Sequence, residues 1–534
     1  MLKPVRVPEI PEAEQTPLVR GLVGIIEEQA EQLRQQEEWI GRLKDEIAVL
    51  KGEKKRPRFK ASGMEKKAGQ EEKESEAGAK KRAGSEKRSK TELLEVHEER
   101  VIAPEAIPAG SRFKGYEDYV VQGLIIRAHN TRYRLERWQT PAGETLLGEL
   151  PEAVRGRHFS PELQGYILYQ YYQAHVTRPL LLEQLGEWGV DISSGQIERI
   201  LNEGKERFHE EKAAILRVGL EVSDYLTVDD TGARHQGKNG YTTQLGNEHF
   251  AWVESTQTKD RISFLSLLQG GAPSYVINAQ ALQYMEEQKL PQGPREQLKN
   301  STTLVFDEAE QWHAHLHALN ITTKRPIRIA TEGALLGALR QGGLLETLVI
   351  VSDDAGQFNV LTHGLCWVHA ERLIHQLIPL NEQHREDQQA IRAQLWDFYT
   401  DLKKYKQAPS EKKAELDRRF EEIFTTKTRF ETLNQVLKRL HRNKSELLLV
   451  LERPEVPLHT NDSERDIRDY VKKRKVSGGT RSDLGRRCRD TFASLKKTCR
   501  KLGVSFWELL LDRVSATNRI PPLPSLIRER AAAH

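Results

Sequence analysis

The chain has 534 residues, of which 37% are hydrophobic and 30% are charged, and 82 Lys or Arg residues face 78 Asp or Glu residues. The mean hydropathy is −0.64, and no stretch approaches the roughly 18 uncharged apolar residues that a membrane span needs, so a transmembrane protein is excluded. At about 150 residues per domain, the length predicts three to four structural units.

The amino terminus begins Met1–Pro4 and lacks the apolar core and the small-residue cleavage site of a secretory signal, which indicates a cytoplasmic protein. Three cysteines, Cys366, Cys488 and Cys499, agree with that compartment and exclude a disulfide framework. Because the sequence has no Cys-x-x-Cys pair, we predict no zinc site.

Residues 18–50 form the first predicted element, an amphipathic helix. Its seam residues are spaced alternately four and three apart, at Leu22, Ile26, Gln29, Leu33, Gln36, Ile40, Leu43, Ile47 and Leu50. Such a heptad pattern normally buries itself against another helix as a coiled coil, so residues 1–50 are interpreted as a coiled-coil segment and residues 18–50 as the basis of a homo-oligomer. A helix packed on its own chain is the alternative.

Residues 51–100 are predicted to be a basic, disordered linker. Within them, residues 51–90 hold 15 Lys or Arg against 7 Glu and almost no aromatic residues, so burial cannot offset the entropy of ordering them. A second basic segment, residues 465–501, holds 14 Lys or Arg against 4 Asp. Two such segments on a nearly neutral chain favour a nucleic-acid partner, although solvated surface is an alternative for either.

Residues 101–215 are interpreted as a mainly helical DNA-binding region. Short strands are expected between Gly110 and Leu150, and helices between residues 159 and 210. The stretch from residue 180 to 201 has a helix, a break at Gly189 and a Ser193-Ser194 cap, as in a helix-turn-helix that would direct Gln196 and Arg199 toward a DNA groove. A plain helical hairpin fits the same pattern.

From residue 221 the apolar period changes to that of strands. Strands are expected over residues 221–230, 241–246, 249–255 and 262–268, and a buried strand over residues 347–352 runs into Asp353, Asp354 and Gly356. Residues 380–450 are long, charged and helix-like, with Trp396, Phe398, Tyr399, Phe420, Phe424 and Phe430 as an apolar face. We interpret them as a helical insertion.

Two hydrophobic strands ending in aspartate indicate a functional site, because a buried strand tolerates a carboxylate only at its open end with a partner or a metal. The candidates are Asp229 and Asp353, and Glu464 lies at a predicted helix start that continues into the basic segment. Three carboxylates can hold two Mg²⁺ ions for phosphodiester chemistry. The predicted DNA contacts there are Arg465, Arg468, Lys472, Lys473, Arg474 and Lys475.

Each acid has a structural alternative. Glu464 fits a capping box with Asn461, the two aspartates fit strand-end turns, and Asp307 competes for the second position. Two histidine groups have metal-like spacing, but we interpret the first as core residues with His369 near the acids and the second as a surface helix. The first is His363, Cys366 and His369, and the second is His313 and His317.

Three ordered motifs resemble the insertion-sequence-66 type transposases of the Asp-Asp-Glu class. Residues 228–232 are similar to that family's Asp-Glu-Thr-Gly strand end, with Asp230 in place of the usual glutamate. Residues 351–353, followed by the Cys-Trp-x-His pattern of residues 366–369, resemble the second-aspartate strand and its helix. Residues 461–468, with the basic triplet 473–475 and Gly478-Gly479-Thr480, resemble the segment whose glutamate completes the triad.

The resemblance implies a ribonuclease-H-like α/β core with a mixed sheet, formed by residues 216–379 and 451–515 around the insertion, before a tail at residues 516–534. It implies that Asp229, Asp353 and Glu464 bind two Mg²⁺ ions, with Mn²⁺ as a substitute, to cut the ends of a mobile element and join the freed 3′-hydroxyl to target DNA. The partners would be the element ends, target DNA, a second copy of the chain and accessory transposition proteins, in the bacterial nucleoid.

Two features depart from that family. Relatives often carry a cysteine-rich zinc module before the nuclease, which this chain lacks, and residues 270–345 form an extra segment of unassigned role. Two other functions stay open at this stage: a non-catalytic oligomeric DNA-binding protein derived from a transposase, and a structure-specific nuclease that only hydrolyses DNA.

Overall fold

A computed structural model describes residues 16–50 and 95–533, apart from 105, 109–110, 152–153, 345–346 and 410, and without the side chains of residues 34–35 and 37–50. These residues divide into two compact units. The larger holds those within Met1–Arg56, Tyr133–Gly186 and Asp191–His534, and the smaller those within Pro57–Arg132 and Glu187–Val190. Most of the predicted basic linker lies outside the described residues.

The first helix, α1 (Pro17–Leu50), coincides with the predicted amphipathic helix. Its heptad seam is open to solvent where it is described, since Leu22 is 52% exposed and Leu33 43% exposed. A different face, at Glu27, is buried against helix α14 (Glu431–Arg442), so α1 does pack on its own chain. The coiled coil stays a prediction, and the seam side chains beyond Gln36 lie outside the described residues.

The described residues between 95 and 132 contain no helix or strand, and nearly all of them are exposed. The strands expected between Gly110 and Leu150 are limited to a short hairpin in the larger unit, β1 (Arg137–Gln139) and β2 (Thr145–Leu147). Gly143 makes the turn with a φ of 87°, a conformation that glycine adopts without steric cost.

Four helices follow, and a Ser193–Gln196 capping box starts the third of them, so Ser193 is the predicted cap. They bury Ile167, Leu181, Ile197 and Ile215 in an apolar core, and the helices predicted for this region are present. The helices are α2 (Pro161–Tyr172), α3 (Arg178–Glu187), α4 (Ser194–Asn202) and α5 (Glu206–Val222).

A five-stranded mixed sheet forms the centre of the larger unit, in the order β5-β4-β3-β8-β9. Strand β4 is antiparallel to both β3 and β5, while β8 is parallel to both β3 and β9. The α/β class is therefore confirmed. The strands are β3 (Tyr225–His235), β4 (Lys238–Gly246), β5 (Ala251–Thr256), β8 (Val349–Ser352) and β9 (Thr362–Leu365).

Two predicted strands differ in the structure. Strand β3 does not end at Asp229 but continues to His235, because β4 keeps pairing with it after β8 has stopped. Residues 262–268 are not a strand but lie in helix α6 (Arg261–Leu268), whose first turn is capped by the Asp260 carboxylate accepting from the Ser263 amide. Its apolar residues also follow a helical spacing.

The segment at residues 270–345 folds as four helices and a two-stranded antiparallel sheet that is separate from the central sheet. Helix α10 packs on α6 and α7. The elements are β6 (Tyr275–Val276), α7 (Ala279–Glu287), α8 (Gln292–Lys299), β7 (Val305–Phe306), α9 (Ala309–Ala318) and α10 (Lys324–Gln341).

The predicted insertion is helical, and its aromatic residues surround the buried Trp367 in one apolar cluster that includes Phe398, Tyr399 and Phe420. Trp396 packs against the edge of this cluster. Helix α11 (Trp367–His375) comes before the insertion. The helices of the insertion are α12 (Glu382–Gln407), α13 (Lys413–Phe424), α14 and α15 (Lys444–Leu447), followed by a 3₁₀ turn at Leu449–Leu451.

The chain closes with four helices, of which α16 crosses β3 and α17 packs on β5. They are α16 (Asn461–Ser477), α17 (Asp483–Leu502), α18 (Phe506–Ser515) and α19 (Leu523–Ala532). None of the helices in the described part of the chain combines the length and the apolar character that crossing a membrane requires.

Candidate active site

The register of the central sheet places Asp229 and Asp353 at the same level. Thr227 of β3 is the parallel partner of Val351 of β8, and each aspartate lies two residues beyond its member of that pair. Because side chains alternate between the two faces of a strand, Asp229 lies on the same face as Thr227. The parallel pairing stops just before the two acids, so they flank the point where β3 and β8 separate.

Helix α16 lies along this face and brings Glu464 to it. The hydroxyl groups of Ser463 and Thr227 are hydrogen-bonded at 2.6 Å, and both residues are buried. Further along the helix, Arg474 Nη1 donates to Thr231 Oγ1 at 3.4 Å. Asp229 therefore lies between two contacts that fix α16 on β3, and Glu464 is the neighbour of the first contact.

Glu464 and Asp353 both lie close enough to Asp229 for their charges to act on its pKa. The pKa of Asp229 is raised to about 7, mainly by burial and also by the negative charges of Glu464 and Asp353. The positive influence of His369 and the hydrogen bond that Asp229 Oδ1 accepts from the Asp230 amide, at 2.8 Å, oppose this effect. Asp229 is thus a partly buried acid with like charges nearby.

Glu464 is the acid of the three that faces cations. Its Oε2 accepts from Arg468 Nη2 at 3.0 Å, and its Oε1 lies 3.5 Å from both Arg372 Nη2 and His369 Nε2. The capping-box alternative for Glu464 is wrong, because Thr460 is the cap residue of α16, its side chain makes no capping hydrogen bond, and Asn461 is already helical. The Glu464 side chain points instead toward α11.

Asp307 is placed away from these acids. It follows β7 in the separate two-stranded sheet and is exposed, whereas Asp353 directly follows β8 beside β3. The position of the strands therefore favours Asp353 over Asp307 as the neighbour of Asp229.

The histidine groups do not converge on one point. His363 is buried between Ser352 Oγ, 2.9 Å from its Nε2, and Glu446 Oε1, 3.2 Å from its Nδ1. Cys366 is in the core, as predicted, and His369 lies beside Glu464. Although burial opposes a charged imidazole, the Cys366 thiol and Glu464 raise the pKa of His369.

The Gly-Gly-Thr motif after α16 packs on the β3–β4 hairpin. Thr480 exchanges backbone hydrogen bonds with Arg234 and Gln236, and its hydroxyl contacts His235 Nδ1 at 2.8 Å. A Cβ at Gly479 would lie 2.5 Å from the Arg234 carbonyl oxygen, so this close approach requires glycine. The motif thus fixes the far end of α16 to the strand that carries Asp229.

The predicted DNA-contact residues of α16 divide into two groups. Arg465, Arg468, Lys472 and Lys475 are exposed, as a phosphate contact requires. Lys473, in contrast, does not fit the predicted role of a DNA contact, because it is only 4% exposed and its Nζ donates to the Tyr171 carbonyl at 2.8 Å. Burial, together with Arg489 and Lys496, lowers the pKa of Lys473 to about 7. Arg474 is half-buried against Thr231.

Sequence reasoning missed that much of the basic segment is internal. Lys496 and Lys497 are buried, and their Nζ atoms lie 3.2 Å and 3.1 Å from Asp469 Oδ2. Lys501 Nζ lies 3.2 Å from Asp466 Oδ2. Asp466 and Asp469 are three residues apart and so share one face of α16, which could have indicated that this face packs on α17. The many Lys and Arg residues around them made the whole segment resemble an exposed basic surface.

The two residues predicted to enter a DNA groove are on α4. Gln196 uses its amide oxygen to accept from the Ser193 amide at 2.8 Å, within the capping box. Arg199 is exposed in the last turn of the helix. The geometry therefore leaves Arg199 accessible and engages Gln196 in holding the helix start.

The donor chemistry of the three acids fits Mg²⁺, which prefers carboxylate oxygens, and a divalent cation would relieve the like-charge crowding at Asp229. In the described part of the chain, no group of three or more His, Cys, Asp or Glu side chains is already arranged around a single ion position. The acids are neighbours without being a closed ligand cage.

Comparison with known proteins gives two findings. The sequence profile described as "Transposase IS66 family" matches residues 337–487, a span that contains Asp353 and Glu464. The chain is also 43% identical over 321 residues to the "uncharacterized protein y4jO" of Sinorhizobium fredii, covering 59% of this chain and 100% of that relative. The motifs, the acids that they bring together and these two matches agree, and the chain belongs to the IS66 family of transposases.

Proposed function

We propose that this chain is a DNA transposase that cuts the ends of an insertion sequence in a metal-dependent reaction and joins the freed 3′-hydroxyl to target DNA. The observation that carries the proposal is the meeting of three acids from separate parts of the chain. Asp229 of β3 and Asp353 after β8 flank the point where these strands separate, and the charges of Asp353 and of Glu464 on α16 both contribute to the raised pKa of Asp229.

The topology supports a ribonuclease-H-like core. Three antiparallel strands, β3 to β5, are followed by two parallel strands on the other side of β3, which gives the order β5-β4-β3-β8-β9. The helical insertion separates β9 from α16, as the proposed division of the core into residues 216–379 and 451–515 requires.

In the proposed mechanism, Asp229, Asp353 and Glu464 hold two Mg²⁺ ions, for which Mn²⁺ can substitute, and no zinc is required. When bound, such ions activate a water or a 3′-hydroxyl and stabilise the leaving oxygen of the phosphodiester. The burial of Asp229 excludes bulk water from one side of the site. Arg372 and Arg468 hold the Glu464 side chain in place from both of its oxygens.

The exposed cations of α16 provide the proposed DNA contacts. Arg465 and Lys472 are more than half exposed, and both lie on the helix that carries Glu464. Phosphates bound along this surface would run past the three acids. Arg199 is the proposed contact in the region at residues 101–215, where it is accessible on a capped helix.

The exposed heptad seam of α1 supports the proposed homo-oligomer. Leu22, Ile26 and Leu33 face solvent, while the Glu27 carboxylate accepts hydrogen bonds from the Thr432 amide and hydroxyl at 2.9 Å each. The two faces are distinct, so α1 can pair with a second copy through its seam while it stays docked on α14. Such pairing would bring two cores, and hence two element ends, together.

The test is excision of an end-flanked cassette by the Glu464→Gln variant, with Asp462→Asn as the matched control. Asp462 is in the same turn of α16 but pairs with the exposed Arg465, 3.4 Å away. We expect Glu464→Gln to abolish excision while it still binds element ends normally. The control Asp462→Asn should excise the cassette and bind element ends as the wild type does. Normal excision by Glu464→Gln contradicts the proposal.

The same assay separates the proposal from its two rivals. Hydrolysis of DNA by the wild-type protein without joining of 3′ ends to target DNA would identify a nuclease. Binding of element ends without any metal-dependent cleavage would identify a non-catalytic DNA-binding protein.

A further inference from the structure

The loop that follows β8 is fastened to two other parts of the larger unit. It runs from Asp353 to Gln357, and Asp353 Oδ1 accepts from the Ala355 amide at 3.2 Å in a tight local turn. Two contacts hold the far end of this loop. In the first, a side chain of helix α6 binds the Gly356 backbone. In the second, the loop's own Gln357 side chain reaches β3.

The contact from α6 is made by Arg261. Its Nη2 donates to the Gly356 carbonyl at 2.8 Å, and its Nη1 donates to the Tyr284 hydroxyl at 3.1 Å. The Arg261 side chain is mostly buried, at 19% exposure, so its guanidinium is held in one place. Because a guanidinium is planar, fixing one edge of it also fixes the direction of the nitrogen that reaches Gly356.

The residues that orient Arg261 belong to the extra segment at residues 270–345. Glu332 of α10 is 1% exposed, accepts from the Tyr284 hydroxyl at 2.7 Å and lies 3.7 Å from Arg261 Nη1. Arg328 Nη1, at 3.1 Å from Glu332 Oε1, completes the pairing of this buried carboxylate. A buried charge of this kind is kept only with several partners, and here one of those partners points at the Asp353 loop.

The second fastening joins the loop to the strand of the first acid. Gln357 Nε2 donates to Asp230 Oδ2 at 2.9 Å, and Asp230 is the chain neighbour of Asp229. Burial raises the pKa of Asp230, although Lys259 and Gln357 oppose that effect. The Gln357 side chain therefore spans from the Asp353 loop to β3 at the level of the two proposed metal ligands.

We propose that Arg261 and Gln357 are positioning residues that set the separation of the Asp229 and Asp353 carboxylates. This inference rests on the proposed function. The two side chains hold the far end of the Asp353 loop from opposite sides, one through α6 and the extra segment, the other through β3. The inference assigns a role to residues 270–345, which brace the loop through Glu332 and Tyr284.

A metal site gives such a brace a measurable effect. Two ions that share ligands lie about 3.5–4 Å apart, so carboxylates on separate strands must be held within a narrow range of distances. Residues that orient metal ligands without touching the metal typically change metal affinity by about 10–100-fold when they are replaced. Arg261 and Gln357 would act on Asp353 in this way through the loop backbone, since they hold the loop three and four residues beyond it.

The experiment is calorimetric titration of Mn²⁺ into the full chain without DNA. Wild type, Asp353→Asn, Gln357→Ala, Arg261→Gln and the control Arg295→Gln are compared. Arg295 lies in the same extra segment and pairs with Glu286 at 2.8 Å on the surface, so its replacement removes an ion pair without touching the loop. Thermal melting of each variant shows whether it is folded.

We expect Asp353→Asn to lose the Mn²⁺ binding of the wild type, and Gln357→Ala and Arg261→Gln to weaken it by about 10-fold or more, while Arg295→Gln binds normally. Gln357 is only half-buried and lies in a loop, so we expect Gln357→Ala to fold. This variant therefore tests the inference even if Arg261→Gln does not fold. Wild-type affinity in Gln357→Ala, or in a folded Arg261→Gln, overturns the inference and leaves the proposed function intact. If the wild type does not bind Mn²⁺, or if Asp353→Asn binds it as tightly as the wild type does, both the inference and the proposed function are overturned.

Discussion

Helix α16 carries two acids, Glu464 and Asp469, that differ in their surroundings although they are only five residues apart. Glu464 lies close to Asp229, and its negative charge adds to the effect of burial in raising the pKa of Asp229 to about 7. Asp469 faces α17; partial burial would raise its pKa, but Lys496 and Lys497 outweigh that effect and lower it to about 2.

The difference separates a structural ion cluster from a candidate ligand site. The cluster around Asp469 supplies its own cations from α17, so its charges are already balanced within the chain. Asp229 accepts a backbone hydrogen bond and has two further carboxylates nearby, and within the chain His369 is a cation that acts against this crowding. We therefore expect paired acids such as Asp469 to stabilise the fold, and we propose that the acids around Asp229 are the ones that bind a metal.

The largest effect is expected from Asp229→Asn. Removal of this carboxylate should lower the rate of end cleavage by more than about 100-fold, since even residues that only orient a metal ligand cost 10–100-fold. The free energy of unfolding at pH 8 without metal should be equal to or higher than that of the wild type, because one of three crowded negative charges is gone. Cleavage assays and urea unfolding measure the two quantities, and a strong loss of both would contradict this account.

Asp469→Asn should have the opposite pattern. The change leaves the buried Lys496 and Lys497 without their main partner, so we expect the free energy of unfolding to fall by about 3 kcal/mol. The affinity of the folded protein for Mn²⁺ should be unchanged. The exposed pair of Asp462 and Arg465 is the control, since its loss should cost at most about 1 kcal/mol in urea unfolding.

The stability that Asp469 contributes should also depend on pH. Its pKa is near 3.8 in the unfolded chain and about 2 in the folded protein, so its contribution is present above pH 4 and is lost as the pH falls toward 2. The difference in free energy of unfolding between the wild type and Asp469→Asn should shrink by about 2 kcal/mol across that interval. Urea unfolding of both proteins at several pH values measures it, and a constant difference would show that Asp469 is not stabilised as an anion.

The smallest effect concerns two cations of α16, the exposed Arg465 and the buried Lys473. Arg465→Ala should weaken binding of element ends several-fold and reduce the slope of log affinity against log salt concentration by about 1, as the loss of one phosphate contact does. Lys473→Met should leave that slope unchanged, because its Nζ contacts the Tyr171 carbonyl and the Tyr171 ring, 3.4 Å away. Binding assays at four salt concentrations distinguish them, and equal slopes for both variants would contradict the division.

Much of the fold could be predicted from the sequence because hydrophobic period depends on local residues. The amphipathic α1, the strands of the central sheet and the helical insertion all follow their periods. The end of β3 could not be predicted, since pairing with β4 carries the strand past Asp229 to His235. Residues 262–268 were predicted to be a strand because an apolar run fits either period, and the Asp260 cap decides for a helix.

The candidate site was predictable only in part. The acids Asp229, Asp353 and Glu464 could be named from their positions after strands and in motifs, but the brace formed by Arg261 and Gln357 joins residues about 95 and 127 positions distant in the chain, and no local pattern marks it. Net charge likewise did not reveal which lysines are buried. Lys473 of α16 and Lys496 of α17 lie on the buried faces of their helices, and the total charge of the segment does not show which face a lysine occupies.

The most direct test of the central claim is a crystal structure of the full chain soaked with Mn²⁺, with data collected at the manganese absorption edge. The account predicts anomalous peaks within about 2.2 Å of carboxylate oxygens of Asp229 and Asp353, with a second ion about 3.5–4 Å away toward Glu464. Manganese bound elsewhere, with no peak at Asp229, would contradict it.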